Sequence, residues 1–211
     1  MAGGDRDLER AIGEILAATN AIFDAAPRIS RDDYLDSLGM AGRQARLDYS
    51  FSLSPEEIAE GGLCREVAGC TGIVRLFGKI AAEKGLESFV VSAADYRDWL
   101  RVRRDGLYDG DGPGVINGHQ IAAVEFSGGL RAFDPGKKLR FVKGPLRPGS
   151  FIESVPGGLP YLVCAITPAA EFARVDSYGK MRNVYLSGNP GAAEFLVRPD
   201  LPSVVEAQKA R

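Results

Sequence analysis

The sequence predicts a single α+β domain in which a long amphipathic helix packs on a mainly antiparallel sheet and N-terminal helices complete the core. Three observations lead to this expectation. The N-terminal third has the apolar spacing and caps of helices, residues 70–84 form one further amphipathic pattern, and most of the remainder alternates short apolar runs with turns. No internal repeat or domain boundary is evident, so we expect one domain over residues 1–211, with a helical portion over about 5–50 and a core over about 54–200.

The N-terminal segment predicts several helices. Residues 5–26 place apolar side chains on one stripe before Pro27, as in a helix that docks on its own domain. Ser30 is a suitable N-cap for a second helix that extends to about Arg46. The stretch "SPEEIAE" then opens with the residues of a capping box and a proline at the first helical position, which predicts a third helix.

The longest amphipathic pattern begins at Cys70 and ends at Gly85, a residue type that commonly terminates helices. Its apolar positions share one face: Ile73, Val74, Phe77, Ile80 and Ala81. Its charged positions take the other side: Arg75, Lys79, Glu83 and Lys84. We therefore expect a helix with one buried face and one solvated face.

Strands follow the helix. The runs "ESFVVSA", "HQIAAVEF", "LRAFDP", "PYLVCAI" and "RNVYLSG" are typical of strands, and "SGG" predicts a hairpin turn between the second and the third. Residues 95–118 are rich in Asp, Arg and Gly and predict a long loop. A Pro- and Gly-rich connector is expected at about 135–160 and a loose tail after about 200.

Composition excludes several classes of function. The formal net charge of -2 provides no positive field for nucleic acid or an anionic membrane. No run approaches the roughly 18 to 20 apolar residues of a membrane span, and the acidic start lacks a signal peptide, so we expect a cytoplasmic protein. The three cysteines form no C-x-x-C pair, and "YDGDGPG" lacks the acceptors of a calcium loop. We expect no disulfide framework, metal or cofactor.

Cys70 has the position of a reactive thiol. A helix N-terminus presents unpaired backbone N–H groups and the positive end of the peptide dipoles, which favour the thiolate. The same N–H groups can donate to the oxyanion that forms when a thiolate attacks a carbonyl. Burial as a small apolar residue is the alternative.

His119 and Asp134 supply the partners that a nucleophilic cysteine needs. If the hairpin turns at Ser127 and Gly128, Asp134 lies opposite Ile121 and shares a sheet face with His119, one diagonal step away. His119 can then serve as general base and Asp134 can orient it. A hairpin loop one residue longer or shorter would separate the two side chains.

This constellation resembles the transglutaminase-like superfamily, in particular bacterial transglutaminase-like cysteine peptidases and amidases. Gly69 and Cys70 open the helix, Gly85 falls fifteen residues after the cysteine, "GHQIAAVEF" carries His119, and "LRAFDP" ends in Asp134 and a proline. The resemblance covers about residues 60–137. It implies a transglutaminase/papain-like core with a Cys-His-Asp triad and no cofactor.

The resemblance implies a cysteine hydrolase that cleaves an amide or peptide bond through a thioester acyl-enzyme. The substrate would be a peptide, a protein or a small amide, and we expect Trp99, Arg101 and Gln120 to contact it. Arg101 belongs to an arginine cluster around Trp99, which is either a solvated loop or a lid that recognises a carboxylate or acidic substrate. The aromatic residue common two positions after the histidine of the family is Ile121 here.

Other functions remain open from the sequence. A protein glutamine deamidase or transamidase would use the same triad, and a non-catalytic binding module would leave Cys70 unreactive. The stretch "EGGLC" resembles arylamine N-acetyltransferases, an acyl-transfer alternative that would make Cys64 the nucleophile. The sequence spacing around Cys64 fits less well, so we expect Cys64 to be structural or to lie near the mouth of the site, and the strand residue Cys164 to be structural.

Overall fold

The computed structural model describes residues 2–95, 118–152 and 161–187. The helices in these ranges are α1 (Ala2–Ala25), α2 (Arg31–Ser37), α3 (Arg43–Ser52), α4 (Pro55–Glu60), α5 (Arg65–Glu83), α6 (Ala169–Phe172) and α7 (Tyr178–Ser187). The strands are β1 (Phe89–Asp95), β2 (Gly118–Phe126), β3 (Gly129–Phe133), β4 (Phe151–Ile152) and β5 (Tyr161–Pro168).

The strands form one sheet in the order β3-β2-β1-β5-β4, and every pairing is antiparallel. The fold is therefore α+β, as predicted. Phe126 pairs with Gly129 across the β2-β3 turn, which confirms the predicted hairpin register. Continuing that register by one residue beyond β3 sets Asp134 opposite Ile121, on the sheet face that also carries His119.

Helices α1 and α5 cover the opposite face of the sheet. Ile12 and Ile15 of α1 are fully buried in one cluster with Phe77 of α5 and with Ala122 and Phe133 of the hairpin. The apolar stripe of α1 therefore docks on its own domain, as expected from its spacing. This packing fixes α5 against β2, the strand that carries the histidine.

The single helix predicted from Ser30 to about Arg46 is in fact two helices, and this prediction was wrong. The Ser30 hydroxyl caps α2 as expected, accepting a hydrogen bond from the backbone N–H of Asp33 at 3.1 Å. Helix α2 then ends at Ser37, and Gly39 and Gly42 adopt φ values of 68° and 90° before α3 begins. Positive φ is incompatible with helix, so these two glycines turn the chain.

Helix α4 begins with the predicted capping box. The hydroxyl of Ser54 accepts from the backbone N–H of Glu57 at 3.1 Å, and the carboxylate of Glu57 accepts from the backbone N–H of Ser54 at 2.7 Å. Pro55 occupies the first turn, where its missing N–H leaves no hydrogen bond unmade.

The stretch "RNVYLSG" was predicted to be a strand but lies in helix α7, at least through Ser187. Tyr178, Met181 and Tyr185, spaced by three and four residues, are all buried. They pack in the cluster that contains Val74 and Cys164 or directly beside it. The β-branched and aromatic residues suggested a strand, but the helical spacing of the buried side chains decides the structure.

Arg75 was predicted to lie on the solvated face of α5, and it is buried instead. Its side chain donates hydrogen bonds to the carbonyl oxygens of Phe51 at 2.7 Å, of Leu53 at 2.8 Å and of Val175. One guanidinium thus joins α5 to the ends of α3 and of the segment before α7. A pattern of charge along a helix could not reveal these carbonyl acceptors.

Replacing Arg75 by methionine is expected to lower the free energy of unfolding by about 3 kcal/mol, because three acceptors lose their donor while the side-chain volume is roughly kept. The matched control is Lys79→Met, one turn further along α5. Lys79 is partly exposed and pairs with Glu56 and Glu83, so its loss should change stability by under about 1 kcal/mol. Urea denaturation of both variants tests this; equal midpoints would contradict the structural role of Arg75.

Parts of the predicted loops lie outside the described residues. These are nearly all of the loop at 95–118 with Trp99, Arg101 and the "YDGDGPG" stretch, and the tail after about 200. In the connector at 135–160, the described residues include the short strand β4 and a bridge between Phe133 and Phe141. Within the three described ranges, none of the helices has the length and apolar character needed to cross a lipid bilayer.

Candidate active site

A kink in α5 brings a helix start to Cys70. The helix formally begins at Arg65, earlier than predicted, but Gly69 has φ 61° and ψ -176° and interrupts it. Only glycine adopts this backbone conformation readily. The second part of α5 therefore begins at Cys70, where backbone N–H groups lack helical carbonyl partners and the local potential is positive.

The β2-β3 hairpin brings His119 and Asp134 into contact. His119 lies near the start of β2 and Asp134 directly follows β3. The imidazole Nε2 and the carboxylate Oδ2 are 3.2 Å apart, with 22% and 13% of the two side chains exposed. The two-residue alternation of side chains along the strands predicted this contact from the sequence, and the register of the hairpin produces it.

Asp134 is held by groups on both of its oxygens. Its Oδ1 accepts from the backbone N–H of Gly136 at 2.9 Å, and its Oδ2 lies 3.1 Å from the Lys137 ammonium. Arg65, at the start of α5, donates to the carbonyl oxygen of Gly136 at 3.2 Å and so ties this turn to the cysteine helix. Burial raises the pKa of Asp134, but the hydrogen bond and charge of His119, with Lys137 and Gly136, outweigh it and lower the pKa to about 2.

The electrostatics of Cys70 and His119 favour a thiolate beside an imidazolium. Burial raises the pKa of the Cys70 thiol, but the hydrogen bond and positive charge of His119 outweigh burial, so the pKa is below its ordinary value. Burial lowers the pKa of His119, but hydrogen bonds to Asp134 and Cys70 and their negative charges raise it to about 9. The histidine therefore stays protonated at neutral pH.

Gln120 contacts the thiol directly. The Cys70 Sγ donates to the amide oxygen of Gln120 at 2.9 Å, and the Thr71 hydroxyl donates to the same oxygen at 3.0 Å. The amide nitrogen of Gln120 donates to the hydroxyl of Tyr185. Hydroxyl groups both donate and accept hydrogen bonds. The Gln120 amide could therefore rotate by half a turn, keep its hydrogen bonds to the Thr71 and Tyr185 hydroxyls, and point its N–H groups toward a Cys70 thiolate. The orientation of the amide is therefore coupled to the charge on Cys70.

An aromatic ring stands beside His119, but not where the family pattern would put it. The ring of Tyr161, from β5, lies 5.8 Å from the imidazole, centroid to centroid, at an interplanar angle of 43°. Ile121, two residues after the histidine, is buried in the sheet core. Strand β5, which is separated from β2 by β1 in the sheet, thus places an aromatic ring beside the imidazole.

The other cysteines lie in different surroundings. Cys64 is 3% exposed and its Sγ donates to the carbonyl oxygen of Ile29 at 3.2 Å. Cys164 is fully buried in β5, and burial raises the pKa of its thiol to about 12. Cys70 is more exposed than either. Both buried cysteines thus have the surroundings expected of structural residues.

The predicted substrate residues have different positions. Trp99 and Arg101 fall outside the described ranges. Gln120 is only 2% exposed, and its polar atoms contact Cys70, Thr71 and Tyr185. It does line a pocket of about 200 Å³ beside Cys70. Direct contact of all three residues with substrate stays a prediction.

Within residues 2–95, 118–152 and 161–187, no three His, Cys, Asp or Glu side chains are grouped to hold a metal ion. Comparisons with protein-family models, with curated proteins and with solved structures found no match. A functional site is therefore inferred from the geometry of Cys70, His119 and Asp134 alone.

Replacing Gly118 by alanine is expected to disturb the site through Tyr185. A Cβ at position 118 would collide with the Tyr185 hydroxyl, which holds the amide of Gln120. We expect a loss of about 1–3 kcal/mol in the free energy of unfolding and a changed alkylation rate at Cys70. Gly128→Ala, where a Cβ meets nothing within 4 Å, is the matched control. Equal stability and equal Cys70 reactivity in the two variants would contradict the close approach.

Proposed function

We propose that the chain is a cysteine hydrolase that cleaves an amide or peptide bond through a Cys70-His119-Asp134 triad on a transglutaminase/papain-like core. The observation that carries the proposal is the 3.2 Å contact between His119 Nε2 and Asp134 Oδ2, with the imidazole close enough to Cys70 to lower the pKa of its thiol. This contact leaves Nδ1 as the nitrogen that exchanges a proton with the thiol. Nucleophile, base and orienter are then in the order that cysteine catalysis requires.

In the proposed acylation step, the Cys70 thiolate attacks the carbonyl carbon and a C–S bond forms as the carbonyl π electrons move to oxygen. The backbone N–H of Cys70, at the start of the second part of α5, donates to this oxyanion. The imidazolium of His119 gives its proton to the leaving nitrogen as the C–N bond breaks. The products of this step are a free amine and a thioester on Cys70.

In the proposed deacylation step, neutral His119 removes a proton from water, and the resulting hydroxide equivalent attacks the thioester carbonyl. The C–S bond breaks, a carboxylic acid leaves, and Cys70 and His119 return as thiolate and imidazolium. Asp134 stabilises the imidazolium in both steps and fixes its ring orientation. Two protons are thus moved by one imidazole, and no cofactor takes part.

Two observations favour this assignment over the acyltransferase alternative. That alternative needs Cys64 as nucleophile, but the Cys64 Sγ is buried and bonded to the carbonyl of Ile29. The chain has a single histidine, whose imidazole contacts Asp134 and lowers the pKa of the Cys70 thiol. A base for Cys64 would therefore have to be another kind of residue.

The proposal is tested with p-nitrophenyl acetate, an activated acyl donor that does not depend on the natural substrate. We expect an acetyl thioester on Cys70, detected by intact mass spectrometry after acid quench, and its absence in Cys70→Ala. The control variant Cys64→Ala should acylate normally. Acetylation at Cys64, or none at Cys70, would overturn the proposal and favour a non-catalytic module. With protein substrates, release of amines indicates peptidase activity and release of ammonia indicates deamidation.

A further inference from the structure

A pocket of about 200 Å³ opens beside Cys70 on the side of α2, α3 and α7. Its walls include Arg31 of α2, Ser50 and Phe51 of α3, and Tyr178 and Tyr185 of α7. Pockets for drug-sized ligands measure about 300–1,000 Å³. A space of this size suits one side chain or one small acid rather than a large cofactor.

Arg31 contributes a cationic side chain to the wall of this pocket. Among the described residues, no carboxylate forms an ion pair with Arg31. Arg46 is paired with Asp32 and Asp36, and Arg65 is paired with Asp24. The Arg31 cation is therefore available to a ligand that enters the pocket.

The hydrogen bonds of Arg31 leave donors unused. Both recorded acceptors, the carbonyl oxygen of Arg46 at 3.2 Å and the hydroxyl of Ser50, contact the same nitrogen, Nη2. The Nε of Arg31 also has no hydrogen-bond partner, but it is buried, so the donors open to a ligand are the remaining ones of the guanidinium. A guanidinium carries five N–H donors in a planar fork, which matches the two oxygens of a carboxylate.

From these observations we infer that the pocket binds a carboxylate group of the substrate, with Arg31 as its receptor and Cys70 at the adjacent scissile carbonyl. The substrate class is then an amide or peptide with an acidic group close to the bond that is cleaved. The inference rests on the proposed function, because Cys70 is taken as the nucleophile. Ser50 holds the guanidinium in place, and the ring of Phe51 covers the apolar part of the ligand.

The first test compares alkylation of Cys70 by iodoacetate and by iodoacetamide, which differ in charge but transfer similar groups. The ratio of the two rates cancels the intrinsic reactivity of the thiolate. Measuring at about pH 10, above the His119 pKa of about 9, removes the attraction of the imidazolium but keeps the charge of Arg31. We expect the ratio to fall about tenfold in Arg31→Met and much less in Arg31→Lys.

Arg28→Met is the matched control, since Arg28 is exposed and lines a different pocket that contains Cys64. It removes the same charge from the chain and should leave the ratio nearly unchanged. An unchanged ratio in Arg31→Met, or an equal decrease in both methionine variants, would overturn the carboxylate site.

The second test uses the wild-type protein and so does not depend on how the variants fold. N-acetylglutamic acid α-amide should protect Cys70 from iodoacetamide at least about fivefold better than its neutral counterpart, N-acetylglutamine amide, if the carboxylate belongs to an acidic side chain. If the recognised carboxylate is instead a free chain terminus, N-acetylglycine should protect Cys70 at least about fivefold better than N-acetylglycinamide. Equal protection within both pairs would contradict the inference.

Failure of this inference can be distinguished from failure of the proposed function. Without a thiolate and imidazolium pair, Cys70 would alkylate slowly near neutral pH, but the iodoacetate to iodoacetamide ratio at about pH 10 would still respond to Arg31. Conversely, Cys70 could be reactive while the ratio of the iodoacetate and iodoacetamide rates does not depend on Arg31. That result would support the hydrolase proposal and contradict the carboxylate site.

Discussion

Replacing His119 by alanine is expected to slow the alkylation of Cys70 by iodoacetamide at about pH 6 by about tenfold or more. The largest influence on the pKa of Cys70 is burial, which raises it. The hydrogen bond and charge of His119 are the main influences that lower the pKa, and the backbone of Gln120 adds a smaller one. Without the imidazole, the inflection of the pH-rate profile should therefore move above the ordinary thiol value of about 8.5. The decrease in rate caused by the smaller thiolate fraction is partly offset, because a thiolate of higher pKa is the better nucleophile.

The same substitution should lower hydrolysis of any substrate by about 10²–10⁴-fold, because both proton transfers depend on this imidazole. The labelled peptides, mapped by mass spectrometry, provide an internal control, since labelling of Cys64 and Cys164 should not change. His119→Gln, which cannot ionise, should behave like the alanine variant. A profile that is the same in wild type and both variants would mean that Cys70 is an ordinary thiol.

Replacing Asp134 by asparagine is expected to lower the pKa of His119 from about 9 toward the ordinary value of about 6.5. The amide keeps an acceptor for the Gly136 N–H but loses the charge that stabilises the imidazolium. Activity should fall by about 10²–10⁴-fold, and its alkaline limit, set by loss of the His119 proton, should move to lower pH. Activity measured across about pH 5 to 10 reports both changes.

Lys137→Gln is the matched control, because Lys137 also contacts Asp134 but is 55% exposed. Its effect on activity should stay within about threefold.

The pH dependence of folding stability is a second test of the Asp134 contacts. The folded pKa of Asp134, about 2, is below its unfolded value of 3.8. Its contribution, about 2 kcal/mol, is present above pH 3.8 and is lost as the pH falls through 2. A stability difference between wild type and Asp134→Asn that does not shrink over this range would contradict the carboxylate contacts.

The sequence predicted the parts of the site that depend on local rules. Strand parity and a two-residue turn sufficed to bring His119 and Asp134 together, since the side-chain period of a strand is two. The start of a helix at Cys70 was also predicted, although the helix begins earlier and is kinked at Gly69. A single sequence shows that a glycine is present but not the φ that it adopts.

The parts that could not be predicted depend on contacts between distant segments. Arg75 is buried because the carbonyls of Phe51, Leu53 and Val175 converge on it, and no local pattern records that convergence. Arg31 and Tyr185 line the pocket beside Cys70 because α2 contacts α5 and α7 packs against α3, β1 and β5. The strand prediction for "RNVYLSG" failed for a related reason: tertiary packing of one helical face outweighed β propensity.

The central claim, a thiolate and imidazolium pair held by Asp134, is tested most directly by nuclear magnetic resonance of the His119 imidazole. The chain has one histidine, so the ring nitrogen signals need no assignment. We predict an imidazolium at about pH 7.5 that titrates near pH 9, with a lower pKa in Cys70→Ala because the thiolate no longer supports the charge. A neutral imidazole at about pH 7.5, with a pKa near 6.5 that Cys70→Ala leaves unchanged, would contradict the claim.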